Sequence, residues 1–251
     1  MRSLFTLLIL FVAEMLSGQS ALDSLYIKAE EAYEAGKFEQ SLEYYDTILR
    51  NGFESPDLYY NMGNAAFRSN KLGYSILYYE KALKLDPRYA DARTNLKYVS
   101  VYKEDQLEKV PELFLKSWIR MLYGLFSLNT WSVIALVLFA SLLTGSLVYI
   151  FSGRLALKKI GFFSAVATLL LFTISLSASL KLHAEIKNPD AAVIISPSIV
   201  VKSSPSMSGT DLFILHEGTL VHFDDAVGEW VEISISDGRV GWVPAGTMEV
   251  I

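Results

Sequence analysis

The chain has 251 residues, 52% of them hydrophobic, a positive mean hydropathy and a formal net charge of −5. An acidic balance without a long basic cluster lacks the electrostatic footprint of a nucleic-acid binder. The sequence contains no cysteine, which removes disulfides, thiolate nucleophiles, thiolate metal sites and CxxC redox chemistry together, so any part in redox physiology is indirect.

Met1 and Arg2 precede an apolar run over 4–13 and then the small and polar residues Ser17, Gly18, Gln19 and Ser20. One positive charge, a short apolar core and a small-residue site predict a secretory signal over 1–20. The run is too short to cross ~30 Å of hydrocarbon at ~1.5 Å per residue. Glu14 leaves a disordered or core-packed leader as the alternative.

From residue 22 the sequence repeats itself at an offset of 34 without a gap. Ala29 aligns with Gly63, Ala32 with Ala66, Tyr33 with Phe67, Phe38 with Leu72, Ser41 with Ser75, Tyr45 with Tyr79 and Leu49 with Leu83. Small residues recur where two helices must approach closely and large ones where the pair needs filling, which is the logic of a helix-turn-helix repeat. The expected repeat domain covers 22–105, with units over 22–55 and 56–89 and a capping helix over 90–103. The second unit resembles the tetratricopeptide pattern through Leu58, Tyr59, Tyr60, Asn61, Gly63, Asn64, Ala65 and Phe67, then Ser75, Tyr79, Ala82 and the closing Asp86 and Pro87. The first unit departs at its end, with Asn51, Gly52 and Phe53 in place of that Asp and Pro. Two units and a cap fall near or below the ~3 repeats a stable stack needs, so support from a partner or from the membrane-proximal helix is expected. The resemblance implies a concave groove that receives extended peptides or partner helices. Carried over, its lining is Tyr26, Glu30 and Tyr33, then Tyr60, Asn61, Asn64, Phe67 and Arg68, then Asn95 and Tyr98. The asparagines suit a peptide backbone or terminal carboxylate, and Arg68 suits an acid.

Residues 111–130 place Leu113, Phe114, Trp118, Met121, Leu122, Leu125 and Phe126 at helical spacing around Lys116 and Arg120. This predicts an interfacial amphipathic helix, with packing under the repeats as the alternative. Segments 131–151 and 160–180 carry no charged side chain and are long enough to span a bilayer. The loop 152–159 between them holds Arg154, Lys158 and Lys159 and no acid. Positive-inside asymmetry places this loop in the cytoplasm and both large flanks on the other side, in agreement with an exported N-terminus. The spans hold no Asp, Glu, Lys, Arg or His, which argues against transport.

After the second span the periodicity falls from 3.6 to 2, and 193–195, 199–201, 212–215, 219–223, 230–235, 240–243 and 248–251 read as short strands. Asp237 and Gly238 predict a two-residue type I′ hairpin pairing Ile235 with Val240 and Ile233 with Trp242 on the core face. Leu215, His216, Glu217, Gly218 and Thr219, then Trp230, then Asp237 to Val243 resemble bacterial SH3-like domains, here over 191–251. The resemblance implies a small barrel that holds peptides or cell-wall stem peptides in an aromatic groove. Phe213, Phe223 and Trp230 are its candidate surface, and Trp242 is assigned to the core. This segment has 8 acids against 2 bases, which disfavours an anionic polymer.

His183, His216 and His222 form no metal-spaced set, and no GxSxG, HExxH, Walker A or dinucleotide fingerprint occurs. The sequence therefore predicts a multidomain protein without catalytic residues, cofactor or metal: all-α tetratricopeptide repeats, a two-helix transmembrane hairpin and a C-terminal all-β SH3-like barrel. This order of elements resembles the BatE proteins of aerotolerance operons along nearly the whole length. The resemblance implies a bacterial inner-membrane complex with von Willebrand factor A membrane proteins, another tetratricopeptide protein and a MoxR-type ATPase, and a contribution to surviving oxidative or envelope stress. From the residues alone, two exported domains brought together by a hairpin make a tethered adaptor. An envelope sensor or cell-wall peptide binder using the barrel is the competing expectation.

Overall fold

The computed structural model describes residues 22–107 and 114–251. The predicted signal over 1–20 and the first residues of the predicted interfacial helix, 111–113, lie outside the described residues. The chain forms an all-helical repeat region, two apolar helices and a C-terminal antiparallel sheet, arranged in two compact units. One unit holds the repeats and the sheet, and the other holds the apolar helices.

The repeat region consists of α1 (22–34), α2 (Phe38–Arg50), α3 (Pro56–Arg68), α4 (Leu72–Leu85) and α5 (Ala90–Val99). Ser55 caps α3 by accepting from Leu58 N at 3.0 Å, and Pro56 opens the helix where its missing N–H costs nothing. The two intra-repeat turns are built alike: Gly36 (φ 75°) and Asn70 (φ 57°) occupy the left-handed region at positions 34 apart. In each, the next residue's amide reaches back to an alanine carbonyl, Lys37 N to Ala32 O at 2.8 Å and Lys71 N to Ala66 O at 2.9 Å. The helix–helix seams repeat too. Ser41 Oγ donates to Ala29 O at 2.8 Å, and Ser75 Oγ donates to Gly63 O at 2.9 Å. Ser75→Ala is expected to cost about 1 kcal/mol of repeat stability by urea unfolding, the usual net contribution of one such bond. The capping helix is shorter than its predicted 90–103: α5 stops at Val99 and tightens into a 3₁₀ turn over Ser100–Tyr102.

The sheet comprises β1 (Ala191–Ile194), β2 (Ser198–Lys202), β3 (Asp211–His216), β4 (Leu220–Val227), β5 (Trp230–Ile235), β6 (Val240–Pro244) and β7 (Met248–Val250). All seven predicted strands are present. Their order is β3-β2-β6-β5-β4-β1-β7, an open ladder with β3 and β7 as its edges rather than the expected closed barrel. Alternation along β5 buries Val231, Ile233 and Ile235, which join Ile194, Val201, Leu215, Val221 and Val243 in the core.

The β5–β6 register differs from the sequence expectation by one residue. Ser234, not Ile235, pairs with Val240, and Ile233 faces Gly241, while Trp242 pairs with Glu232. Gly238 N donates to Ile235 O and Ile235 N to Arg239 O, with Gly238 at φ 89°, so the loop has three residues and a glycine bulge instead of a two-residue turn. A one-residue slip exchanges faces. Val243 is consequently the β6 core residue, Trp242 is only half-buried, and Val240 is exposed.

Within the same unit, the turn 216–219 between β3 and β4 seats on the repeat region. Glu217 Oε2 accepts from Gly73 N, in the first turn of α4, at 3.0 Å. Asp105 accepts from His216 N at 2.7 Å and from Thr219 Oγ1 at 2.6 Å, and Leu107 packs against the sheet core. The stack is thus buttressed by the chain's own C-terminal sheet, a support not anticipated from the sequence, which pointed to a partner or the membrane-proximal helix.

In the other unit, α6 (Phe114–Tyr123) is followed by α7 (Leu128–Phe151) and α8 (Leu155–Lys187). The single helix predicted over 111–130 is interrupted. Gly124 to Phe126 leave the helical path, and Ser127 starts α7 by capping Thr130 N at 3.4 Å. Trp131 fixes the break by donating its indole N–H to Tyr123 O at 2.9 Å while its ring meets Phe126 edge-on. Both α7 and α8 are long and apolar enough to cross a membrane. The 24 residues of α7 reach about 36 Å at ~1.5 Å per residue, close to one hydrocarbon core. The 33 residues of α8 overrun it, so Lys158 and Lys159 of the predicted basic loop lie within its first five residues and only 152–154 link the helices.

Candidate functional site

The first helices of the repeats, α1, α3 and α5, carry the predicted groove residues, and they are joined by a ladder that recurs with the repeat. Asn61 Nδ2 donates to Tyr26 OH at 2.6 Å, and 34 residues on Asn95 Nδ2 donates to Tyr60 OH at 3.4 Å. A second set of bonds converges on Asn64. Its Oδ1 accepts from Asn95 Nδ2 at 2.9 Å and from Tyr79 OH at 2.6 Å. Burial pushes the Tyr79 phenol up to about 12 despite hydrogen bonds that oppose the shift, so it remains a donor across the working pH range. Tyr26 is raised as well, first by burial and then by the negative charges of Glu30 and Asp57.

These bonds use the amide nitrogens of Asn61 and Asn95 and the carbonyl of Asn64. What the ladder does not use is the complement: the Asn64 amide nitrogen and the carbonyls of Asn61 and Asn95. A donor flanked by acceptors is what an extended peptide backbone needs.

Aromatic rings stand on either side of this ladder. Tyr60 tilts against Tyr89, with ring centroids 5.2 Å apart, and Tyr89 OH donates to Asp57 Oδ1 at 2.7 Å. Tyr33 meets Phe38 edge-on at 5.1 Å, and the Arg68 guanidinium lies over the same Phe38 ring, 4.3 Å from its centroid. This stacking holds Arg68, an exposed cation, in a fixed position. At the C-terminal end Phe67, Tyr98 and Tyr102 form a three-ring cluster with centroids 5.6 to 5.8 Å apart. Tyr98 and Tyr102 nevertheless remain 57% and 56% exposed. Large rings held in place and open to solvent are characteristic of binding hot spots.

Of the predicted groove residues, nine of ten make direct contacts of this kind, and Glu30 stands exposed one turn beyond Tyr26. Tyr79, Tyr89, Phe38 and Tyr102 were not anticipated. Tyr79 was readable as the partner of Tyr45 at offset 34, and Tyr102 as the residue one helical turn beyond Tyr98.

The three residues assigned to the sheet surface are not gathered in the same way. Phe213 on β3 and Phe223 on β4 pack against the sheet core, while Trp230 starts β5 opposite Val227. Arg239 lies 4.4 Å from the centroid of the Phe213 ring.

Residues 56–89 match the tetratricopeptide repeat family. The match covers α3, α4 and the turn that leads to α5. A comparison with curated proteins finds no match.

Proposed function

We propose that the protein is a non-catalytic, membrane-anchored adaptor that binds an extended segment of a partner protein along the face of α1, α3 and α5. The observation that carries this reading is the ordered side-chain ladder on α1, α3 and α5, whose asparagines leave two carbonyls and one amide outside the ladder beside exposed, mutually braced aromatic rings. A tetratricopeptide repeat supports protein–protein interaction, and α7 and α8 support an anchor. Within this reading the two apolar helices sit in a bacterial inner membrane, Arg154, Lys158 and Lys159 face the cytoplasm, and the repeats and sheet face the periplasm. The apolar residues of α6, with Phe114, Trp118 and Met121 well exposed, rest at the lipid interface.

The order of elements further supports a place in a Bat-type complex with von Willebrand factor A membrane proteins, a second tetratricopeptide protein and a MoxR-type ATPase, linked to aerotolerance or envelope stress. A photoreactive residue at Tyr102 in native membranes is the direct test. Capture of a defined membrane protein is expected, with at least a tenfold loss on Arg68→Glu in the same chain. Capture unaffected by that charge reversal, or none from any groove position, rules out the groove as the main binding surface.

A second reading, an envelope sensor whose sheet is an SH3-like binder of cell-wall peptides, is favoured by the Phe213–Arg239 stack. Retention of purified cell-wall peptide by the full chain, lost on Phe213→Ala, would select it.

A further inference from the structure

The contact between the turn 216–219 and the repeat region, within one compact unit, is built around one imidazole and two carboxylates. His216 presents each ring nitrogen to a carboxylate: Nδ1 stands 3.0 Å from Asp105 Oδ1 and Nε2 3.3 Å from Glu104 Oε1. A neutral imidazole has one N–H and can donate from one nitrogen only, so both contacts are satisfied only by the imidazolium. The backbone N–H of His216 and the hydroxyl of Thr219 also donate to Asp105, which gives this carboxylate three donors in one turn. Glu217 meanwhile places its charge at the N-terminal end of α4 through Gly73 N.

The fit around these bonds is close. A Cβ on Gly73 would lie 2.9 Å from Ile194 O, and one on Gly218 would lie 2.6 Å from the Ile76 side chain and 3.4 Å from Lys103. The sheet can approach α4 this closely only because both positions are glycine. Residues 111 to 144 apart in sequence are thereby brought into one polar joint.

We propose that the turn 216–219 is a protonation-held clasp, which fixes the sheet to the repeat stack while His216 is an imidazolium and loosens when that proton is lost. The clasp does not depend on what the groove binds. It sets whether the groove and the sheet act as one body or as two modules on separate tethers. The titratable and charged groups around the imidazole are Lys103, Glu104 and Asp105 from the segment after α5, and Glu217 from its own turn. Elsewhere in the contact, Glu249 of β7 faces Tyr78 and Lys81 of α4 and involves no imidazole.

The direction of the pH response follows from linkage. The hydrogen bond to Asp105 raises the His216 imidazole above its ordinary 6.5, against a smaller opposing effect of desolvation. A raised folded-state value means that the contribution is complete below 6.5 and is lost as the pH climbs through that raised value. Burial alone would raise the Asp105 carboxyl, but the bonds from Thr219 and His216 outweigh it and hold the group below 3.8. Its contribution is therefore complete above 3.8 and lost only as the pH falls through the depressed value. The joint is tightest between these limits and weakens on the alkaline side.

The absence of native cysteine allows a test on the full chain in lipid nanodiscs. Spin labels on Glu43→Cys and Glu229→Cys, both exposed, report the separation of α2 from the β4–β5 turn. One narrow distance is expected at pH 5.5, and a broadened distribution with a second component at pH 8.5. His216→Gln keeps a neutral donor for Asp105 and is expected to give the same distribution at both pH values, while Asp105→Ala is expected to be broad at both. A wild-type distribution that is unchanged between pH 5.5 and 8.5, or a His216→Gln chain that still responds, overturns the clasp. Neither outcome bears on capture by the groove, so the two readings fail separately.

Discussion

Replacing Tyr79 by alanine is expected to unfold the repeat region of the otherwise intact chain. The Tyr79 side chain is 1% exposed and fills the α3–α4 seam. Deleting a buried aromatic ring costs about 3–5 kcal/mol, because the surroundings relax only partly into the cavity. The hydroxyl adds a second loss, since its bond to Asn64 Oδ1 belongs to the network that also holds Asn95. Small domains are stable by only ~5–15 kcal/mol, and this stack has two units where about three are usual. Pulse proteolysis of the solubilised chain should show cleavage within 22–107 rising by at least a hundredfold, which corresponds to about 2.8 kcal/mol at 1.4 per decade. Tyr79→Phe keeps the ring and loses the hydroxyl's bonds to Asn64 and Asn95, about 1–2 kcal/mol, and should remain resistant. Equal protection of Tyr79→Ala and wild type would show that the seam is not what holds the repeats together.

The repeat region was legible because its physics is periodic. An offset of 34 read from Ala29 and Gly63 or Ser41 and Ser75 also orders bonds that no single residue announces, such as Tyr26 to Asn61 and Tyr60 to Asn95. The candidate groove residues follow the same period, and their asparagines are half engaged with the protein itself. The sheet was legible in its strands and not in its register. Asp237 and Gly238 fit both a two-residue and a three-residue hairpin, and the choice rests on where one left-handed residue falls. That choice moved Trp242 from the core to the opposite face. The break between α6 and α7 was hidden because helical spacing of apolar residues continues through Gly124, whereas the side chain of Trp131 enforces the turn from the next helix. No sequence signal linked Asp105 to His216. A polar joint between segments 111 residues apart has no period, and its two carboxylates and one histidine read individually as surface residues.

In the paired apolar helices, Gly161→Leu is expected to separate α7 from α8. Lipid tails are as apolar as leucine, so burial gives the helices little reason to associate, and close backbone approach has to supply the contact. Gly161 provides it. A Cβ there would lie 2.7 Å from Tyr149 N and 2.8 Å from Gly145 O, both backbone atoms that cannot swing aside. Gly145 is close from the other helix as well, with a Cβ 2.8 Å from Ser164 Oγ and 3.2 Å from the backbone atoms Ala165 N and Gly161 O. A branched side chain at 161 therefore moves a whole helix rather than a rotamer, at about 1–3 kcal/mol for overpacking alone. The displacement is transmitted along the pair, where Ser175 Oγ donates to Trp131 O at 2.9 Å and Ser132 Oγ meets Ser179 Oγ at 2.8 Å. Cysteines introduced at 132 and 179 read this remote end. Their oxidation in nanodiscs should be fast in the parent chain and at least tenfold slower with Gly161→Leu. Gly153→Leu is the matched control, because nothing lies within 4 Å of a Cβ at that position. Equal oxidation rates in both leucine variants would mean that the hairpin is held by its short connection and not by the glycine contact.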